Sequence, residues 1–108
     1  MGGLHQGHAN LISAASRHKA DEAKTLVSVF VNPLQFGPDE DFARYPRTFE
    51  DDCELAEQCG ASAIWCPDDE QIYPGGMAES WRVQAPKSLQ SGLCGSTRPG
   101  HFDGVVTV

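Results

Sequence analysis

At 108 residues and a formal net charge of −7, the chain is one domain at most and lacks the broad basic surface that nucleic-acid phosphates demand. Its composition, 40% hydrophobic with no apolar run near the ~18 residues of a membrane span, reads as soluble and globular. The start, Met1-Gly2-Gly3-Leu4-His5, has neither the charged nor the apolar region of a secretory signal, so the cytoplasm is the expected location.

The first element is announced by His5-Gln6-Gly7-His8. From Leu11 the apolar residues Leu11, Ile12 and Ala15 recur at helical spacing, so a helix is expected to begin near His8 with its unpaired N–H groups facing the preceding loop. Such an end attracts anions. Gly7 lets a phosphate approach the backbone, and His5 and His8, three apart, can donate to the same oxygens. The plainer alternative is that the two histidines only cap the helix or lie on the surface.

Leu26 to Val31, rich in valine, reads as a strand buried on both faces of a parallel sheet. The polar, proline-bounded stretch from Phe36 to Arg47 reads as a surface loop or lid. Thr48 offers an N-cap with Asp51 as a weak capping-box acid, and Phe49, Cys53, Ala56 and Cys59 form one helical stripe that ends at Gly60. Ala61 to Cys66 is a second strand, which makes a right-handed βαβ unit and an open α/β sheet. Ligands in such sheets bind beyond the carboxyl ends of the strands, where Asn32 and Gln35 fall. Tyr73-Pro74-Gly75-Gly76 is a turn, Trp81 to Ala85 a short strand, Lys87 to Leu93 a short helix, Gly92 to Gly100 a glycine-bearing loop, and Gly104 to Val108 the start of a helix.

The acidic runs Asp39 to Asp41, Glu50 to Glu54 and Asp68 to Glu70 read as solvated loops and a helix first turn. Cys53, Cys59, Cys66 and Cys94 fit neither paired CxxC zinc ligands nor a redox CxxC, and read as reduced, buried structural thiols. His5, His8, His18 and His101 lack the spacing of a zinc cluster, so no protein metal site is expected.

Three blocks stand in order: Met1-Gly2-Gly3-Leu4-His5-Gln6-Gly7-His8; Val29-Phe30-Val31-Asn32-Pro33-Leu34-Gln35-Phe36-Gly37 running on to Tyr45-Pro46-Arg47-Thr48; and Arg98-Pro99-Gly100-His101-Phe102-Asp103-Gly104-Val105. Together they closely resemble the pantoate–β-alanine ligases, or pantothenate synthetases, of the HIGH-motif nucleotidyltransferase superfamily. The resemblance implies a Rossmann-like open parallel sheet and a two-step ligation. Pantoate attacks the α-phosphorus of ATP to give pantoyl adenylate and pyrophosphate, and β-alanine then displaces AMP to give pantothenate.

It also implies catalytic roles for His5 and His8, an ATP site of Met1, Gly2, His5, Gly7 and His8, and a pantoate site of Gln35, Asn32 and Tyr45. Mg²⁺ is expected to arrive on the ATP phosphates. Arg98 and His101 border the site and the subunit contact of a homodimer, as structural support or as ligand contacts. Relatives place a buried strand before the first block and further lysine-bearing nucleotide segments after the last. The chain therefore reads as a partial N-terminal domain, residues 1–108, without its first strand and C-terminal domain. By itself it is expected to fold poorly and to show no ligase activity. Two other readings are a different HIGH-type nucleotidyltransferase, against which the second and third blocks speak, and a non-catalytic nucleotide- or pantoate-binding module.

Overall fold

A computed structural model describes residues 2–18, 20–40 and 42–108. The chain forms two compact units that interleave along the sequence, Met1–Val31 with Pro46–Pro67, and Asn32–Tyr45 with Asp68–Val108.

The first unit contains α1 (Gln6–His18), β1 (Leu26–Ser28), α2 (Phe49–Gln58) and β2 (Ala63–Trp65). The strands pair in parallel with Leu26 opposite Ala63, Val27 opposite Ile64 and Ser28 opposite Trp65. Parallel neighbours need a crossover, and α2 supplies it. The α/β architecture is therefore as expected, while its strands are shorter. Val29 extends the ladder by donating to the Trp65 carbonyl at 2.8 Å and is buried, whereas Leu26 is 61% exposed among the described residues.

Helix α1 starts earlier than His8 and buries Ala9 and Ile12. Leu11 and Ala15 of the expected stripe are exposed, and with Leu4 and β1 they line an open apolar groove. In α2 the inward line is Asp52 and Ala56, not the full stripe, since Phe49 is exposed and Cys53 and Cys59 only half-buried. Cys66 and Cys94 are exposed, which corrects the expectation of four buried thiols, and all four are free. Gly60, at φ 88°, stops the helix as expected.

The second unit holds α3 (Asp69–Ile72), α4 (Lys87–Gln90), α5 (His101–Thr107) and 3₁₀ turns at Pro33–Gln35, Phe42–Arg44 and Leu93–Ser96. Asp68 to Glu70 is no plain acidic loop: Asp68 and Gln71 form a reciprocal capping box that starts α3. Trp81 to Ala85 is not a strand, because its backbone is satisfied by α5 side chains. Val83 N–H donates to Thr107 Oγ1 at 3.1 Å, and Ala85 N–H to Asp103 Oδ1 at 2.8 Å. The stretch read as a surface loop or lid contains an aromatic cluster. Phe36 meets the edges of Phe42 and Tyr45, with centroids at 5.2 Å and 5.7 Å.

Helix α5 lies on the Pro33–Gln35 turn through Gly104. A Cβ there would run into the Leu34 carbonyl oxygen. The glycine is needed for this approach, and the second and third sequence blocks are the two sides of one contact.

Candidate active site

The loop before α1 is built by its histidines. His5 is the N-cap, since its carbonyl accepts the first helical bond from Ala9 N–H at 3.0 Å, and its ring Nδ1 accepts from Gly7 N–H at 3.1 Å. His8 answers from the third helical position: its Nδ1 accepts from the His5 N–H at 3.2 Å. This is a capping box made of imidazoles, so the capping alternative is real, yet it does not exhaust the two rings. A backbone N–H only donates, which makes both Nδ1 atoms acceptors and leaves the ring protons on Nε2. The helix cap thus fixes the tautomer of two adjacent donors, whose centroids lie 4.1 Å apart. Gly7 has a further duty here, since a Cβ at that position would come 2.9 Å from the His5 ring.

Partial burial and then the neighbouring His5 push the His8 pKa down. The neutral ring is the one that holds the loop, so this contribution is present above the ordinary value of about 6.5 and is lost as pH falls through the lowered one. In an NMR titration His8 is expected to protonate below about 6.5 and to carry its neutral proton on Nε2. A midpoint at or above that value, or an Nδ1–H tautomer, contradicts the capping arrangement.

Asp52 is the residue the sequence hid. Its carboxylate, 1% exposed, accepts from Gly3 N–H at 3.0 Å, Leu4 N–H at 2.6 Å and the Thr48 hydroxyl at 3.3 Å. Thr48 stands at the N-cap of α2, but its hydroxyl serves Asp52 and not the helix backbone. The acidic run therefore contains a buried anchor for the His5 loop, signalled only by its i, i+4 spacing to Ala56. Gly2 is buried against Pro46, Asp52 and Val29. Met1 lies outside the described residues, as does Asp41 of the first acidic run. Asp52→Ala strands two backbone N–H groups and is expected to cost about 3 kcal/mol in denaturant unfolding of the complete protein. A loss under about 1 kcal/mol would mean that the loop holds itself.

In the second unit Gln35 ends the Pro33–Gln35 turn, half-buried. Its carbonyl accepts from Arg98 Nη2 at 3.1 Å and from His101 Nδ1 at 2.9 Å. Arg98 also pairs with Glu40 through Nε and, at 3.3 Å, through Nη2. That guanidinium bond, and then the Gly37 N–H, hold the Glu40 carboxyl below the usual carboxylate range. Tyr45 packs on Phe36 beside the same turn.

Asn32, expected at the pantoate pocket, is held by partners within the second unit. It is 3% exposed, its Nδ2 donates to the Gly104 carbonyl at 2.9 Å, and its Oδ1 accepts from the Tyr73 hydroxyl at 2.8 Å and Leu34 N–H at 3.1 Å. These bonds tie Asn32 to the turn, to Tyr73 and to α5, and use one of the two hydrogens of its amide nitrogen. His5 and His8 thus belong to the first unit, and Asn32, Gln35, Tyr45, Arg98 and His101 to the second. Among the described residues no three His, Cys, Asp or Glu side chains gather as a metal site.

All 108 residues match the family model described as pantoate-beta-alanine ligase. The bifunctional pantoate ligase/cytidylate kinase of Synechococcus sp. (strain CC9311) is 84% identical over 108 residues, which are 100% of this chain and 22% of that protein. Its counterpart in Synechococcus sp. (strain WH7803) is 67% identical with the same shares. The chain thus spans under a quarter of the length of these curated relatives. Among solved structures, pantothenate synthetase from Thermus thermophilus superposes with a TM-score of 0.86 at 45% identity, covering 99% of this chain and 37% of that one. Pantoate-beta-alanine ligase from Francisella tularensis, complexed with beta-gamma ATP and beta-alanine, gives 0.85 at 34% identity, with 99% and 39% covered.

Proposed function

The chain belongs to the pantoate–β-alanine ligase family, and from that premise we propose that it forms part of an ATP-dependent ligase joining pantoate and β-alanine through pantoyl adenylate. In the first step a pantoate carboxylate oxygen attacks the α-phosphorus of ATP and pyrophosphate leaves. In the second, the amine of β-alanine attacks the acyl carbon, AMP leaves and pantothenate is formed. A carboxylate is a poor acylating agent until it carries such a leaving group, so the protein's work is positioning and charge stabilisation.

The observation that carries this reading is the pair of Nδ1-anchored imidazoles at the head of α1. Their Nε2–H groups suit the oxygens on which negative charge grows during attack, and the helix start adds its own positive end. His5 and His8 are proposed as the catalytic donors, with Gly2, Gly7 and the Met1 position bordering the nucleotide. Gln35, able to donate and accept at once, is proposed to take pantoate's carboxylate and hydroxyls, with Tyr45 beside it. Asn32, which also supports that turn, is proposed at the same pocket. The described residues provide no cage for Mg²⁺, which would travel with the ATP phosphates, and no step is assigned to it.

A cytoplasmic homodimer acting on small molecules, with neither nucleic acid nor membrane as partner, completes the proposal. The net charge of −7 supports the part of it that concerns nucleic acid. The test is pyrophosphate release by the complete protein that carries this sequence. Release from ATP should require pantoate, and AMP should appear in step with pantothenate once β-alanine is added. Binding of ATP and pantoate without pyrophosphate would leave a non-catalytic module instead.

A further inference from the structure

We propose that Arg98 and His101 are positioning residues for Gln35, clamping its backbone carbonyl so that its amide is held in the orientation that pantoate requires, with Glu40 fixing Arg98 in turn. The inference rests on the reading of Gln35 as a pantoate contact, and deepens it.

A 3₁₀ turn of three residues has poor internal hydrogen-bond geometry and does not hold its last residue well. At Gln35 the deficit is met from outside. Two donors converge on the one carbonyl, Arg98 Nη2 at 3.1 Å and His101 Nδ1 at 2.9 Å. Because a carbonyl only accepts, the His101 ring carries its proton on Nδ1, which leaves Nε2 facing Arg98 Nη1 at 3.4 Å. The two donors are therefore in register with each other as well as with Gln35.

The bracket closes on the far side of the residue. Glu40 accepts from Arg98 through both carboxylate oxygens, and its Oε2 also accepts from Gly37 N–H at 2.7 Å. The guanidinium carbon stands 5.9 Å from the centroid of the Phe36 ring between these two anchors. The backbone from the carbonyl of 35 to the amide of 37 is thus gripped at both ends by one arginine–glutamate fork. Side-chain rotamers follow backbone dihedrals, so a fixed backbone here is a fixed starting direction for the Gln35 amide. The side chains of Arg98 and Glu40 are 28% and 30% exposed, so the fork is partly shielded from water.

The experiment is steady-state kinetics and thermal melting of the complete protein with Arg98→Lys. A lysine keeps the charge beside Glu40 but cannot reach both Glu40 and the Gln35 carbonyl as a fork. The expected result is a pantoate KM raised about tenfold, with the ATP KM and the melting temperature little changed. Glu40→Gln, which keeps the shape and weakens the fork, should give a smaller rise of the same kind. Gln35→Ala should raise the pantoate KM by itself, and adding Arg98→Lys to it should cost little more, because the arginine acts through the amide already removed.

If Gln35→Ala leaves the pantoate KM unchanged, the reading of Gln35 falls and the clamp's role falls with it. If Gln35→Ala raises it and neither Arg98→Lys nor Glu40→Gln does, the clamp is overturned and Gln35 stands. Additive effects in the double variant would place Arg98 on the substrate directly, and a lowered melt with both KM values raised alike would make it structural support only. Either result also overturns the proposal.

Discussion

In the complete protein, His8→Ala is expected to lower the rate of adenylate formation on the order of 10²–10³-fold while leaving the KM for ATP and for pantoate within a few-fold. The His8 ring is anchored by its Nδ1 bond to the His5 N–H, which leaves the ring proton on Nε2. Such a donor meets the phosphate most strongly when charge builds during attack, which is why its loss falls on turnover. The same change removes one member of the cap, worth about 1 kcal/mol. A rate loss of 10² corresponds to about 2.7 kcal/mol at the transition state, so the cap alone does not account for it. Single-turnover pyrophosphate release is the measurement, and a rate within a few-fold of the parent would remove His8 from the chemistry.

Gly104→Ala is expected to destabilise the protein by about 3 kcal/mol and to raise the pantoate KM. Helix propensity argues the other way, since alanine within a helix is favoured over glycine by about 1 kcal/mol. Contact decides the sign. The new Cβ would collide with the Leu34 carbonyl oxygen and stand 2.5 Å from its carbon and 2.8 Å from Gln35 N, and backbone atoms cannot rotate away. The turn that carries Gln35 must then move off α5, breaking the Asn32 bond to the Gly104 carbonyl. Denaturant unfolding together with pantoate kinetics checks both halves. A stabilised variant with unchanged kinetics would show that α5 and the turn are not packed as described.

The residues legible in the sequence are those whose chemistry is local. His5, Gly7 and His8 sit in one turn, so their spacing alone announces a helix start, which the structure has two residues earlier than expected. The βαβ order follows from apolar runs and Gly60, and the structure has it. What the sequence conceals depends on partners far along the chain. Asp52 looks like one more solvated acid because its partners, Gly3 and Leu4, lie 49 and 48 residues away. The Val83 and Ala85 amides look free to join a ladder, and only the return of α5 supplies Thr107 and Asp103 to take them. Asn32 follows a strand as expected, yet no pattern reveals that Tyr73 and Gly104 occupy its amide. The Arg98 and His101 pair is marked by the third block without its role, because the acceptor is a main-chain oxygen that leaves no mark in composition.

The interleaving of the two units also bears on when their contacts can form during synthesis. Among the described residues β1 pairs with β2, which is made after the segment Asn32–Tyr45 of the other unit. Translation adds about 5–20 residues per second, and the Asn32 amide is made 72 residues ahead of the Gly104 carbonyl that receives it. For several seconds the Gln35 turn therefore exists without its backing, while Asp52, which anchors the histidine loop, is made about halfway along the chain. The Asp52 anchor of the histidine loop is thus made well before the turn of α5 that backs Gln35.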